Sequence, residues 1–198
     1  QSIKSFHACG VDVTVLTMNT PKHYFDYEKL PDDIKQLANF SAVYIDTKIS
    51  LRSAFKNLFT NESYNVKRFY SKLYEEKLIS LLKENSFDII QLEGSYLGQY
   101  ISVIRKFSNA KIVLRSHNIE FEIWELLAKS EKKFLRKKYL SMLAKRMKKY
   151  EINLLKTALK DISLYLQKTI ISNDGVNNTG LYNIPSCFDS TIQISSLL

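Results

Sequence analysis

Four short apolar runs, set apart by longer stretches of helical periodicity, leave this chain few folds to choose from. Val11–Leu16 (VDVTVL), Ser41–Ile45 (SAVYI), Phe87–Leu92 (FDIIQL) and Ala110–Leu114 (AKIVL) are strand-length and rich in β-branched residues. Between them apolar residues recur at helical spacing: Phe69, Leu73, Leu78, Leu81 and Leu82 within Lys67–Glu84, then Ile101, Ile104 and Phe107 within Tyr96–Phe107. From Ile119 to about Ala158 the pattern predicts helix nearly throughout, with a break near Ser130. Strands that alternate with helices are joined by crossovers and run parallel, and a parallel sheet takes helices on both faces. The fold class is α/β. Gly10 closes a helix that occupies the first residues. Leu51–Phe59 reads as a helix or an insertion, Ile162–Leu166 as a poor strand candidate, and Leu181–Ile184 as a short strand ending at Pro185.

The 198 residues make one domain, 1–198, without internal repeat or low-complexity linker. A hydrophobic content of 45% with 25% charged residues fits a soluble globular protein. No run approaches the ~20 apolar residues that a membrane-spanning helix requires. Cys9 and Cys187 stand far apart with no C-x-x-C partner, which predicts buried free thiols and neither a disulfide framework nor a metal pattern. There is no G-x-S-x-G or H-E-x-x-H, and His7, His23 and His117 are the only histidines, so hydrolytic chemistry has little to draw on. A net charge of +9 favours anionic partners: nucleic acid, anionic lipid or a phosphorylated substrate.

Ligands of open α/β sheets sit outside the carboxyl ends of the strands. Two such ends carry polar clusters here, Gln91-Leu92-Glu93-Gly94-Ser95 and Arg115-Ser116-His117-Asn118-Ile119-Glu120. A histidine leaving a buried strand just ahead of a helix is placed to meet a ligand, and imidazole can donate or accept near neutral pH. The plainer reading is that Ser116 or Asn118 caps the following helix while Glu120 and Glu122 favour its dipole. Both readings can hold together.

The segment from Phe87 to Glu151, and above all RSHNIEFEIW followed by a long basic helix ending Lys-Lys-Tyr-Glu, resembles the N-terminal domain of bacterial family 4 glycosyltransferases of the GT-B fold. VDVTVLTMNTPKHYF and YNIPSCFD are similar to flanking landmarks of that domain, where the family's version of the second reads closer to Ile-Pro-Phe-Gly-Ile-Asp. The resemblance implies one Rossmann-like lobe, a parallel sheet flanked by helices, of a two-lobed enzyme. That enzyme moves a sugar, with retention, from a nucleotide-sugar donor to a glycan or lipid-linked acceptor in cell-surface polysaccharide synthesis. It implies His117 beside the donor sugar's hydroxyls as the catalytic residue, Glu93 and Ser95 facing the acceptor, and Asn118 and Glu120 as supports. The family opens with a strand and a glycine-rich loop; this chain has five glycines and no paired-glycine loop, so a sheet lacking its first, central strand is expected. The donor's nucleotide would be held by a second lobe that follows this one, so the 198 residues alone are expected to be inactive. No cofactor and no metal is implied.

Lys129–Lys149 holds ten basic residues against the single acid Glu131, while Leu140, Leu143, Met147, Tyr150 and Leu154 mark a buried stripe. Lys132, Lys133, Arg136, Lys137, Lys145, Arg146, Lys148 and Lys149 would then project together. Such a face can simply keep the protein soluble, or dock on an anionic bilayer, which would place a cytoplasmic protein peripherally on the inner face of the membrane. Specific nucleic-acid recognition has no motif to support it. The competing functional reading is a non-catalytic basic module for an anionic membrane or polyanion.

Overall fold

The periodicities resolve into a five-stranded parallel sheet in the order β2-β1-β5-β3-β4, with helices packed against it. The computed structural model describes residues 2–24, 26–48, 57, 60, 62–116, 118–172 and 190–196. Helix α1 (Ser2–Ala8) is followed by Gly10 at φ +73°, a left-handed conformation that a residue without Cβ adopts freely. Strand β1 (Asp12–Asn19) comes next, then the one-turn α2 (Asp32–Lys35) and β2 (Asn39–Tyr44). The helical stretch expected over Lys67–Glu84 is two helices, α3 (Tyr64–Lys67) and α4 (Lys72–Glu84). The break is held by Ser71, whose hydroxyl accepts from the Tyr74 amide at 3.4 Å and caps α4. Strand β3 (Ile89–Glu93) leads through a 3₁₀ turn (Ser95–Tyr100) into α5 (Ile101–Phe107) and β4 (Lys111–Arg115). Helices α6 (Glu120–Ser130) and α7 (Phe134–Ser172) form a hairpin broken where Ser130 predicts it, and β5 (Ser190–Ser196) completes the sheet.

One face of the sheet carries the core. Leu16 and Met18 of β1, Ile90 and Leu92 of β3 and Ile112 of β4 pack against Tyr74, Leu78, Leu81 and Leu82 of α4, Ile104 of α5 and Met147 of α7. The fully buried Tyr74 and Tyr100 rings lie 5.0 Å apart; their hydroxyls donate to the carbonyls of Leu16 and Phe69, so neither polar tip is stranded. Leu73, counted with the apolar stripe from sequence, is 65% exposed, and Tyr74 takes the buried position instead. On the second face Val13 and Val15 are buried beside α1, the helix packed on β1. At β4 that face is open among the described residues, with Arg115 exposed and Val113 37% exposed, whereas Glu93 of β3 on the same face is buried. Among the described residues, helical cover on both faces is therefore only partly realised.

Three further expectations change. The sheet has no empty central slot, because β5 lies there, pairing along its whole length with β1 and through Thr191–Ser195 with β3. Two facing strand edges with unpaired N–H and C=O groups are a strong template for a strand, which accounts for the occupancy. Ile162–Leu166 belongs to α7 and not to a strand. Cys9, at the end of α1, is exposed and not buried, since Gly10 turns the chain at the surface. Cys187, Leu181–Ile184 and nearly all of Leu51–Phe59 lie outside the described residues.

Candidate functional site

Parallel pairing sets Glu93 of β3 directly opposite Arg115 of β4, both at carboxyl ends. Glu93 is 5% exposed, and a buried carboxylate needs partners. Gln91, two residues back on the same face of the strand, donates its amide to Glu93, and the Arg115 guanidinium lies 3.4 Å from the same oxygen. The Arg115 side chain remains about half exposed, so Glu93 anchors a cation whose far side meets solvent. Arg115, which the sequence allows to be neutralised at the sheet, is paired there with Glu93, the partner its register sets. Gly94, at φ +106°, turns the chain out of β3 and donates its amide to the Arg115 carbonyl at 2.9 Å. Ser95 follows, 3% exposed, with a hydroxyl that has no hydrogen-bond partner among the described residues. Glu93, Ser95 and Arg115 thus converge at one end of two neighbouring strands.

Glu120 is turned inward. Its carboxylate accepts from the Tyr96 hydroxyl at 2.8 Å. Burial raises its pKa from the ordinary carboxylate value; the Tyr96 hydrogen bond opposes this and the nearby Glu151 carboxylate adds to it. Burial raises the Tyr96 hydroxyl too, and the Glu120 charge pushes in the same direction. The start of α6 is not capped from within its own loop. The cap position is Ile119, and the amides of Glu120 and Phe121 donate to the two Glu151 oxygens at 3.2 and 2.9 Å. Ser116 instead donates to the Asn118 carbonyl at 2.6 Å, and the Asn118 side chain is exposed. Neither is the cap that the sequence pattern suggests, because a carboxylate arriving from α7 meets the helix dipole with charge as well as hydrogen bonds. His117 lies outside the described residues.

The basic residues divide. Lys132, Lys133, Arg136 and Lys137 are exposed at the hairpin turn, Arg136 pairing with Glu131 at 3.0 Å. Lys145 and Lys149 are exposed further along α7. Lys148 lies 3.6 Å from Glu125 and 4.7 Å over the Phe121 ring, tying the two helices together. Arg146 is half-buried and donates to both the carbonyl and the side-chain oxygen of Asn57. The stripe at Leu143, Met147 and Leu154 is buried as its spacing predicts.

A groove of about 420 Å³ runs between α3, the 3₁₀ turn after β3 and α7, walled by Glu62, Lys67, Tyr70, Gln99, Lys149 and Tyr150 among others. Its residues come from three separated segments, so sequence spacing held no sign of it. Among the described residues no cluster of His, Cys, Asp and Glu could hold a metal, and no helix is long and apolar enough to cross a membrane. Comparison with protein-family models, with curated proteins and with solved structures finds no match.

Proposed function

We propose that this chain is the acceptor-side, Rossmann-like lobe of a GT-B glycosyltransferase, which transfers a sugar from a nucleotide-sugar to a glycan or lipid-linked acceptor. The observation that carries the reading is the convergence of Glu93, Arg115 and Ser95 at the carboxyl ends of two parallel strands, where sheets of this class bind ligands. The resemblance of Phe87–Glu151 to family 4 enzymes supplies the chemistry. In this reading His117, two residues beyond Arg115, orients the donor sugar's hydroxyls, and the half-exposed Arg115 guanidinium, anchored by Glu93, favours the anionic groups of donor or acceptor. The nucleotide is held by a companion lobe, and closure of the two lobes excludes water. The groove beside the 3₁₀ turn offers the Tyr70 ring on the acceptor side, while the Gln99 amide donates to the Val66 and Tyr96 carbonyls and shapes its wall.

The test is sugar transfer by the full-length protein from radiolabelled nucleotide-sugars to membrane or glycan acceptors. His117→Ala is expected to lower turnover at least about a hundredfold with the fold intact. Near-normal turnover would remove His117 from the site. No transfer from any donor, with the fold shown intact, would shift the reading to a non-catalytic basic module, which the exposed cations of α7 also favour.

A further inference from the structure

Helix α6 is apolar on two faces, and the fold uses only one of them. Glu120 and Ala128 are buried, and Phe121 and Trp124 pack against the core. On the other side Ile119, just ahead of the helix, and Ile123, Leu126 and Leu127 are 54%, 40%, 63% and 46% exposed. They recur at the i, i+4, i+7, i+8 spacing of a single helical stripe. Their exposed surface amounts to roughly 400 Å² per copy, so pairing two such stripes would take about 800 Å² from water before their borders are counted, the low end of specific association. An apolar line with no cover among the described residues marks an interaction site.

The charges bordering the stripe identify its occupant. Glu122 and Lys129 are both exposed, and neither has an ion-pair partner among the described residues. Seven residues separate them, close to two helical turns, so they flank the stripe along the same edge. The acid stands near the start of α6 and the cation near its end. Turned end for end, that edge is its own complement. In a two-fold pair with antiparallel helices, Glu122 of each copy meets Lys129 of the other while the two apolar stripes face each other. Antiparallel packing also aligns the helix dipoles favourably. It carries the exposed turn cations Lys132, Lys133, Arg136 and Lys137 to opposite ends of the pair, where parallel packing would crowd them together. On an anionic bilayer Glu122 would instead face headgroups of its own sign, and an acidic protein would gain nothing from the stripe. We infer that α6 is a self-recognition surface: two copies of this chain associate through antiparallel α6 helices, with Ile119, Ile123, Leu126 and Leu127 at the centre and two Glu122–Lys129 pairs along one edge. The inference does not rest on sugar transfer.

Sedimentation equilibrium of the full-length protein, from about 1 to about 200 μM, should show a reversible monomer–dimer equilibrium with a dissociation constant on the order of micromolar. Leu126→Asp sets a charge inside the stripe and should weaken the dimer at least about a hundredfold. Glu122→Lys alone and Lys129→Glu alone should each weaken it about tenfold at low salt, because each places like charges opposite one another. Mixed in equal amounts, these two variants should regain the parent's affinity as a heterodimer, since one carries cations at both positions and the other acids at both. All three positions are exposed, so circular dichroism should be unchanged. Three results would overturn the inference: a monomer throughout the range, a dimer that Leu126→Asp leaves intact, or a mixture no tighter than either variant alone. A monomer that binds phosphatidylglycerol vesicles through Leu126 would give the stripe to a membrane and overturn it as well. Because no step reads sugar transfer, failure here leaves the enzymatic reading untouched.

Discussion

Glu120 is the residue whose chemistry departs furthest from its place in the sequence. On paper it is the first acid of a helix, where the dipole would welcome its charge; in the fold it is buried against Tyr96, and Glu151 has taken the dipole. Burial holds its proton to higher pH than in the unfolded chain, so across the window above the ordinary carboxylate value the native state binds more protons. Its contribution to stability is then most favourable below that value and is lost as pH rises through the raised folded pKa. Glu120→Gln keeps an acceptor for the Tyr96 hydroxyl and abolishes the titration. The variant should therefore gain on the parent as pH goes from acid to neutral, measured as the difference between their urea midpoints. A difference that is flat with pH, or that shrinks towards neutrality, would mean the Glu120 charge is not penalised in the fold. Glu93 shows the other way to bury an acid, with Gln91 and Arg115 drawn in to satisfy it.

Between elements, α7 packs tightly on the 3₁₀ turn after β3. A Cβ built on Gly98 would stand 2.5 Å from Leu154 Cδ1 and 2.8 Å from the Tyr150 hydroxyl oxygen. Neither neighbour can easily withdraw: Leu154 is 6% exposed, and the Tyr150 hydroxyl donates to the Ser95 carbonyl at 2.8 Å. Gly98→Ala is expected to cost about 1–3 kcal/mol, as overpacking does, and to loosen the Tyr150–Ser95 contact beside the strand ends. Equilibrium denaturation checks the first and hydrogen exchange at Ser95–Tyr100 the second; unchanged stability would show that Leu154 swings aside. Spacing in α7 marks Leu154 as buried, but nothing in either segment names Gly98 as its counterpart, because their contact joins residues far apart in the chain.

For the molecule as a whole, the sheet depends on its last strand. β5 sits between β1 and β3, and each of those strands pairs with it along one edge. Removing residues 190–198 would leave both edges without that partner in the middle of the sheet. The shortened chain should lose amide protection in β1 and β3 well before β2 and α4, with a broader, earlier unfolding transition; protection that stays uniform would mean that the two halves close without β5. Gln193→Pro should act in the same direction through loss of one ladder hydrogen bond and the strain of its ring.

Sequence alone determined what depends on near neighbours. Strands β1 to β4, the stop at Gly10, the hairpin break near Ser130 and the buried stripe of α7 all follow from periodicity and turn chemistry, which act over a few residues. The class, a parallel α/β sheet with polar clusters at its strand ends, follows from their alternation. Tertiary structure decided everything that pairs distant segments: β5 in the centre, Glu151 on the start of α6, Arg115 against Glu93, and Tyr74 rather than Leu73 in the core. Ser190–Ser196 carries two isoleucines among polar residues, a weak local signal, and is a strand because two unpaired edges flank it. The outward stripe of α6 has the same origin. Helical spacing shows that Ile123, Leu126 and Leu127 share a face, but which face meets the core is fixed only when Phe121, Trp124 and Ala128 find it first.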